Sequence, residues 1–362
     1  MTTYKKWTLI TLSLTLIALS AIASVNYVVD PYGIYHYAGK SFNYNKIIES
    51  DPYLIKTFQS KKVQPETIVL GTSRAMRIHP PAIKRITGNR AYNLGLSAAT
   101  PYINYKYLEY AIKVDKNLNT VFLGLDFEVF NSNFSNHANY VERRLSSPLY
   151  MQDLLATLLS DKALIDSGKV VIDNLNHTTR FTEHRFIGDG SFDETFVFPP
   201  NFNQATLQVI PTAFQISSDS MNYMKKIKEL CDQYHLKLYI YISPVHAILL
   251  ETYWQNDIWD SFEEWKRQLV NIAPIWDFSG YHEISMSSLN ESENYNDLSH
   301  FSNKIGDLIL YRMLAEETNK VPAYFGVRIT PDNIEEHLNK LRSDREQWPE
   351  RNENMFNLLD HY

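Results

Sequence analysis

Short apolar runs alternate along this chain with stretches in which apolar residues recur at helical spacing. The runs are rich in β-favouring residues and predict buried strands at 67–70, 90–94, 120–127, 237–243 and 274–278. The helically spaced stretches between and after them cover 102–114, 218–234, 257–272 and 302–316. Strands that alternate with helices predict an α/β fold, in which a parallel sheet of about five strands is covered on both faces.

The amino terminus carries a run of 23 residues, 7–29, without a charged side chain. That length is sufficient to cross a bilayer. Lys5 and Lys6 precede the run, which places residues 1–6 in the cytoplasm and everything from residue 30 onward outside. The alternative is a cleaved signal peptide, for which Ala21 and Ala23 offer a small-residue site. We favour the anchor because the apolar run continues past that site to residue 29.

The rest of the chain divides into three parts. The Asp-Pro-Tyr-Gly sequence at 30–33 predicts a turn that opens a juxtamembrane segment, 30–66. The α/β domain extends over 67–319 and is interrupted at 131–217 by a polar insertion with one predicted helix at 148–164. We interpret the insertion as a lid over the carboxyl edge of the sheet, with a purely structural excursion as the alternative. The charge-rich segment 320–362 predicts a peripheral appendage with a helix at 331–346.

Composition narrows the possible partners and cofactors. The net charge is -6, with no run of basic residues, which argues against a nucleic-acid-binding surface. The single cysteine, Cys231, excludes an intramolecular disulfide, and its helical spacing with neighbouring apolar residues predicts that it packs in the core. The sequence shows no metal-ligand spacing, phosphate loop or dinucleotide fingerprint, so neither a metal nor a cofactor is predicted.

Two motifs at opposite ends of the α/β domain carry the candidate chemistry. The strand at 67–70 leads directly into Gly-Thr-Ser-Arg at 71–74, which places Ser73 where open α/β sheets present their sites. Asp297 and His300 precede the last helix of the domain and supply a base with its orienting carboxylate. The sequence therefore predicts a Ser73–His300–Asp297 triad. The alternative is a serine that caps a helix and an unrelated local Asp–His pair.

Polar residues after the other strands are candidates for binding substrate or an oxyanion. Asn93 and Gly95 follow the second strand, Asp126 and Asn131 follow the third, and His246 follows the fourth. The amides of Ser73 and Gly95 are candidate oxyanion donors, and Asn131 is close enough in sequence to help. Arg74 is a candidate ligand for a carboxylate or phosphate, with a surface arginine as the alternative. His246 is a candidate contact for a substrate, an oxyanion or a metal, and the alternative is a structural hydrogen-bond partner.

The order of these motifs resembles the SGNH (GDSL-like) hydrolase superfamily over about residues 67–316. Gly-Thr-Ser at 71–73 matches its serine block, Asn-Leu-Gly at 93–95 its glycine block, and Asp-Leu-Ser-His at 297–300 its acid and base block. The resemblance implies a three-layer α/β/α, flavodoxin-like sheet. The third block differs, because Gly-Leu-Asp-Phe at 124–127 stands where the family often has Gly-x-Asn-Asp. An ionised Asp126 cannot donate a hydrogen bond to an oxyanion.

An anchor followed by these blocks resembles the membrane-anchored SGNH-like proteins of bacterial envelopes. Similar proteins include the D-alanyl transfer protein of teichoic acid synthesis and the alginate O-acetylation proteins, which work with a membrane-bound O-acyltransferase. The resemblance implies an O-acyltransferase that modifies a cell-surface polysaccharide, with acetyl as the expected group, through an acyl-Ser73 intermediate. A membrane-anchored carbohydrate esterase and a non-catalytic polysaccharide-binding or scaffold module are the alternatives.

Overall fold

The computed structural model describes residues 3–35, 41–43, 51–146, 150–177, 189–191, 213–287, 293–315 and 318–348. Its centre is a mixed six-stranded sheet with the strand order β2-β1-β3-β4-β5-β6. The strands are β1 (Thr67–Leu70), β2 (Ala91–Asn93), β3 (Thr120–Leu125), β4 (Lys237–Ile242), β5 (Ile275–Asp277) and β6 (Val327–Ile329). The first five are parallel and β6 runs antiparallel to β5. The predicted α/β class and all five predicted strands are confirmed.

The described residues form eleven α-helices: eight lie around the sheet, and the fifth and sixth along the chain pack against the first instead. In chain order they are α1 (Thr3–Val29), α2 (Pro52–Val63), α3 (Pro80–Thr87), α4 (Pro101–Val114), α5 (Tyr150–Leu158), α6 (Asp161–Leu175), α7 (Ser218–Gln233), α8 (Ala247–Gln255), α9 (Trp259–Val270), α10 (Asn303–Leu314) and α11 (Ile334–Glu346). Alternate residues of β1 face two separate cores, with Ile68 and Leu70 in one and Val69 in the other. Helices α4, α7, α8, α9 and α11 contribute to the first core, and α3 and α10 contribute to the second. Cys231 is fully buried in the first core, as predicted.

Three helices of the sheet region were not predicted, two because their sequences lack an apolar stripe and one because it is short. Helix α2 buries polar residues such as Lys56 and Gln59 along with its apolar ones, so it has no clear amphipathic period. Helix α8 is buried almost all round, which a periodicity search does not distinguish from a strand. Helix α3 is only eight residues long. Helix α4, which was predicted at 102–114, begins at Pro101 because Thr100 caps it.

Helix α1 is long and apolar enough to cross a membrane, with a mean hydropathy of 2.1 in its most apolar window. Asp30 ends it with a left-handed φ of 49°, and its carboxylate accepts from the amides of Ile34 and Tyr35 at 2.8 and 3.1 Å. This confirms the predicted turn after the anchor. Residues 36–40 and 44–50 of the predicted juxtamembrane segment lie outside the described residues.

The predicted insertion begins and ends at one point of the fold. The amide of Ser132 donates to the carbonyl of Gln215 at 2.8 Å, and the amide of Ser217 donates to that of Phe130 at 2.8 Å. The predicted helix at 148–164 is in fact two helices, α5 and α6, because Ser160 caps the start of the second. Both helices pack against the end of α1. Residues 147–149, 178–188 and 192–212 lie outside the described residues, so the lid stays a prediction.

The described part of the predicted appendage, 320–348, is integrated into the fold rather than peripheral. It supplies the edge strand β6, and Leu338 and Trp348 are fully buried in the first core. An ion pair between Arg345 and Glu251, at 2.5 Å, also holds helix α11 against the rest of the fold. Strand β6 is too short, and the Arg345–Glu251 pair joins residues too far apart in the chain, to be predicted from a local sequence pattern. Residues 349–362 lie outside the described residues.

Candidate active site

The turn after β1 presents Ser73 at the carboxyl edge of the sheet. Gly71 has a φ of 137°, and a Cβ at this position would lie 2.7 Å from the carbonyl oxygen of Gly124 on β3. Only glycine therefore permits this close approach of the two strand ends. The amide of Gly71 donates to Asn104 Oδ1 at 3.1 Å. After Ser73 the chain forms a short 3₁₀ helix, Ala75–Arg77, rather than an α-helix.

Ser73, His300 and Asp297 form a continuous chain of hydrogen bonds. Ser73 Oγ lies 2.8 Å from His300 Nε2, and His300 Nδ1 lies 2.8 Å from Asp297 Oδ2 and 3.0 Å from Oδ1. A carboxylate can only accept, so the ring proton is assigned to Nδ1, which leaves Nε2 to accept from the serine hydroxyl. The side chains of Asp297 and His300 are each 28% exposed, so the chain of hydrogen bonds is accessible from outside.

Asp297 is held in its ionised form by the loop that carries it. Its Oδ1 accepts from the amides of Ser299 and His300, each at 2.7 Å. Burial alone would raise the pKa of Asp297, but the charge of His300, the hydrogen bond to its ring and the two amides together lower that pKa well below its usual range. The carboxylate is therefore suited to orient the imidazole and to stabilise its cation.

Arg77 lies behind this loop and has no counterpart in the sequence prediction. It is 2% exposed. With the amide of Asn296 oriented so that its oxygen faces Arg77, that oxygen lies 3.1 and 3.0 Å from Nη1 and Nη2. Burial lowers the pKa of Arg77 to about 10, and the nearby charge of Asp297 opposes that effect. Arg77 thus supports the acid-bearing loop from within the core.

Arg74 is directed into the protein and connects the serine turn to the base loop. Its Nη1 and Nη2 donate to the two carboxylate oxygens of Glu128 at 3.0 and 2.8 Å, and its Nε donates to Ser299 Oγ at 2.9 Å. Burial alone would lower the pKa of Arg74, but Asp126 and Glu128 raise it well above its usual value. These contacts do not support the predicted role in binding substrate. They make Arg74 a positioning residue for both motifs.

Asp126 has two partners inside the protein. Its Oδ2 accepts from the hydroxyl of Thr72, and its Oδ1 lies 3.2 Å from Arg74 Nη1 without hydrogen-bond geometry. The Glu128 side chain is 15% exposed, and although burial raises its pKa, the charge of Arg74 produces a net lowering. Tyr253 donates to Glu128 at 2.6 Å. The third block therefore forms an ion-pair network where the resembled family has an oxyanion donor.

Asn93 and Gly95 support the serine loop rather than a ligand. Asn93 Nδ2 donates to the carbonyls of Ala75 and Ile78, both at 2.8 Å, and its Oδ1 accepts from the amide of Gly95 at 2.8 Å. The Gly95 amide thus already has an acceptor, which does not support its predicted role at an oxyanion. For the Ser73 amide, in contrast, the described residues supply no acceptor.

Asn131 and His246 are engaged elsewhere. Asn131 Nδ2 donates to the carbonyl of Ala213 at 3.1 Å, at the base of the insertion. His246 is fully buried, its Nδ1 accepts from the amide of Ile248 at 3.2 Å and caps α8, and its Nε2 donates to the carbonyl of Ser287 at 2.9 Å. Burial lowers the pKa of His246 to about 4, which the hydrogen bond to Ser287 partly opposes. The structural alternative, rather than a ligand contact, fits His246.

A metal centre would need several ligating side chains close together among the described residues. Within those residues no group of three His, Cys, Asp or Glu side chains is arranged to hold a metal ion. No sequence pattern could have identified the roles of Thr72, Arg77 and Glu128, because their partners lie far away in the chain. No protein-family model matches this chain, and no curated protein matches it either.

Proposed function

We propose that this protein is an SGNH-like serine O-acyltransferase that transfers an acyl group, expected to be acetyl, to a cell-surface polysaccharide. One observation carries the proposal: the hydrogen-bonded Ser73–His300–Asp297 chain at the carboxyl edge of a mostly parallel sheet. Such a constellation has the geometry of an activated serine nucleophile.

The residue types define the steps of the proposed reaction. Ser73 Oγ attacks the acyl carbonyl carbon while His300 Nε2 takes the hydroxyl proton, and the Ser73 amide donates to the developing oxyanion. The tetrahedral intermediate collapses to acyl-Ser73 as the imidazolium returns its proton to the leaving group. A sugar hydroxyl then transfers its proton to His300 and attacks the acyl carbon, which releases the O-acylated sugar and free Ser73. Water in place of the sugar makes the same site an esterase.

The strand order supports the SGNH-like proposal beyond the motifs. The parallel strands follow the order β2-β1-β3-β4-β5, which is the flavodoxin-like arrangement of doubly wound sheets. Open sheets of this kind bind ligands at the point where the strand order reverses, and here Ser73 follows β1 at that point. The altered third block favours a second candidate, a non-catalytic polysaccharide-binding module. Loss of one oxyanion donor reduces turnover by roughly 10²- to 10³-fold, which still leaves an active enzyme.

The proposal also includes the cellular location of the protein. Helix α1 is the single-pass anchor, and Lys5 and Lys6 hold the amino terminus in the cytoplasm, so the sheet domain lies in the periplasm or outside the cell. The anchor keeps the site near the membrane, where a membrane-bound O-acyltransferase would deliver an acyl group across the bilayer.

A serine-directed fluorophosphonate probe tests the nucleophile in the full chain. We expect the wild-type protein to be labelled and Ser73→Ala to be unlabelled, with Ser146→Ala, a serine outside the site, as the matched control. A folded wild-type protein that takes up no label contradicts the enzyme and favours the binding module.

The acceptor is tested separately, with the full chain in nanodiscs. The protein is incubated with an acetyl ester in the presence and absence of an oligosaccharide, and both acetate and acetylated sugar are measured. We expect the sugar to become acetylated. Acetate release at the same rate with or without sugar, and no sugar product, would identify an esterase.

A further inference from the structure

Helices α5 and α6 follow each other directly and both pack against α1, and they carry large apolar side chains on their outer surface. We call this pair of helices, residues 150–175, the hairpin. On α5 and just after it, Met151, Leu155 and Leu159 are 61%, 50% and 44% exposed. Their spacing of four residues makes one continuous stripe along the helix. On α6, Ile165, Ile172 and Leu175 are 60%, 55% and 65% exposed. We call these six side chains the apolar stripe of the hairpin.

Four polar residues of α6 face the protein instead. Asp166, Ser167, Asp173 and Asn174 of α6 are between 0% and 6% exposed. Tyr32 donates to Asp166 Oδ2 at 2.9 Å. A helix in contact with water normally has the opposite arrangement, with its apolar residues inside. Four polar side chains on the inside and six large apolar side chains on the outside indicate that this part of the outer surface is not adapted to water.

The hairpin is fastened to the end of α1. Asn26 of α1 is fully buried, and its Nδ2 donates to the carbonyls of Leu158 and Ser160 at 2.8 and 3.1 Å. Its Oδ1 accepts from the hydroxyl of Ser167 at 3.2 Å. Val29 packs into the small core that the hairpin shares with α2. The apolar stripe is therefore part of the same rigid surface as the last turns of α1.

The length of α1 places this attachment at the edge of a bilayer. A hydrocarbon core of about 30 Å requires about 20 helical residues. Counted from Trp7, where the charge-free run begins, those residues end near Asn26. Residues 3–21 of α1 are exposed along their whole length, whereas the hairpin contacts begin at Ile22. The hairpin thus meets α1 at the depth where the helix leaves the lipid.

We propose that the hairpin is an interfacial membrane platform, whose apolar stripe is embedded in the leaflet from which α1 emerges. The proposal rests on the membrane anchorage of the proposed function but not on the triad. The side chains of Lys162 and Lys169 flank Ile165 and are 63% and 47% exposed, and each also pairs with Asp166, at 3.4 and 3.0 Å. Exposed apolar residues alternating with lysines are typical of helices that lie in the headgroup region of anionic lipids. Continuity with the lipid-facing surface of α1 favours lipid over a protein as the occupant.

The depth of the hairpin is measured in nanodiscs containing anionic lipid, with one full-length chain per disc. Leu155→Cys and Ile172→Cys carry an environment-sensitive fluorophore, and lipids with a quencher at a shallow or a deep acyl position report its depth. These side chains are exposed, so the substitutions do not disturb packing. The native Cys231 remains, because it is buried and burial raises the pKa of its thiol to about 12, and the labelled wild type gives the background.

Two control positions separate the platform from the anchor. Leu16→Cys lies in the middle of α1. Val327→Cys lies on the edge strand β6, where Val327 is apolar, 40% exposed and far from the hairpin in sequence. We expect quenching at residues 155 and 172 mainly by the shallow quencher, quenching at residue 16 mainly by the deep quencher, and no quenching at residue 327.

The other outcomes are distinct. Quenching at residue 16 without quenching at 155 and 172 overturns the platform and leaves the anchor in place. No quenching at residue 16 overturns the anchorage itself, whereas the fluorophosphonate labelling of Ser73 tests the triad independently. Fluorophores at 155 and 172 that become protected only when a second copy of the chain or a membrane-bound acyltransferase is added assign the stripe to a protein interface and overturn the lipid proposal.

Discussion

Replacement of Asp297 by asparagine is expected to slow the reaction of Ser73 by about 10⁴-fold while the fold stays intact. Asp297 Oδ1 accepts from the amides of Ser299 and His300, each at 2.7 Å, and an asparagine oxygen at that position preserves both bonds. The loop should therefore keep its conformation, and the thermal unfolding midpoint should change little.

The loss arises at the other carboxylate oxygen. Asp297 Oδ2 accepts from His300 Nδ1 at 2.8 Å, and asparagine places an NH₂ group there. That group donates to Nδ1, which moves the ring proton to Nε2. A protonated Nε2 cannot accept the proton of Ser73, whose Oγ lies 2.8 Å away. Four powers of ten correspond to about 5 kcal/mol of activation free energy.

The assay is the second-order rate of fluorophosphonate labelling, which needs no knowledge of the natural substrate. Asp232→Asn, at an exposed carboxylate on α7, is the matched control and should label at the wild-type rate. Thermal unfolding of each variant checks the fold. If folded Asp297→Asn labels as fast as the wild type while Ser73→Ala does not label, His300 is not oriented by Asp297 and the reasoning is refuted.

Three further predictions concern residues that hold the site and the fold together. Arg74→Met leaves the carboxylates of Glu128 and Asp126 buried without a cation and should destabilise the protein by about 3–5 kcal/mol, measured by urea unfolding; a midpoint close to that of the wild type would contradict the ion-pair network. Asn93→Ala removes two hydrogen bonds to the serine loop and should cost about 1–3 kcal/mol, with slower labelling of Ser73 than in Asn131→Ala. The pKa of His246 is lowered to about 4 in the folded state, so the unfolded state binds the proton more readily and stability should fall by about 3 kcal/mol as pH drops from 6.5 to 4. Unfolding of His246→Gln across this pH range should show a flatter dependence, and a slope equal to that of the wild type would exclude the buried neutral imidazole.

The α/β class, the five parallel strands and the candidate triad were accessible from the sequence, because each depends on a local pattern. Buried parallel strands are short apolar runs, and the residues that follow them lie at one edge of the sheet. Ser73 follows such a strand, and Asp297 and His300 directly precede the last helix of the α/β domain, so their meeting could be expected without knowledge of other contacts.

The roles of the neighbouring polar residues were decided by contacts between distant parts of the chain. Arg74 was a candidate ligand for substrate, but its guanidinium meets Glu128, 54 residues further on, and Ser299, 225 residues further on. His246 was a candidate contact for a ligand, but both of its nitrogens are used within the fold. A sequence shows which hydrogen-bonding groups exist, whereas only the tertiary structure shows which of them are already paired.

The same division applies to α1 and the two helices that pack against it. The sequence by itself determined that residues 7–29 can span a bilayer, because hydrocarbon thickness translates directly into a number of apolar residues. The sequence of α6 contains apolar and polar residues in comparable measure and does not say which side faces water. The tertiary structure decided that these polar side chains face inward, because Asn26 packs against Ser167 and Tyr32 against Asp166. Burial is a property of the assembled elements and not of any one of them.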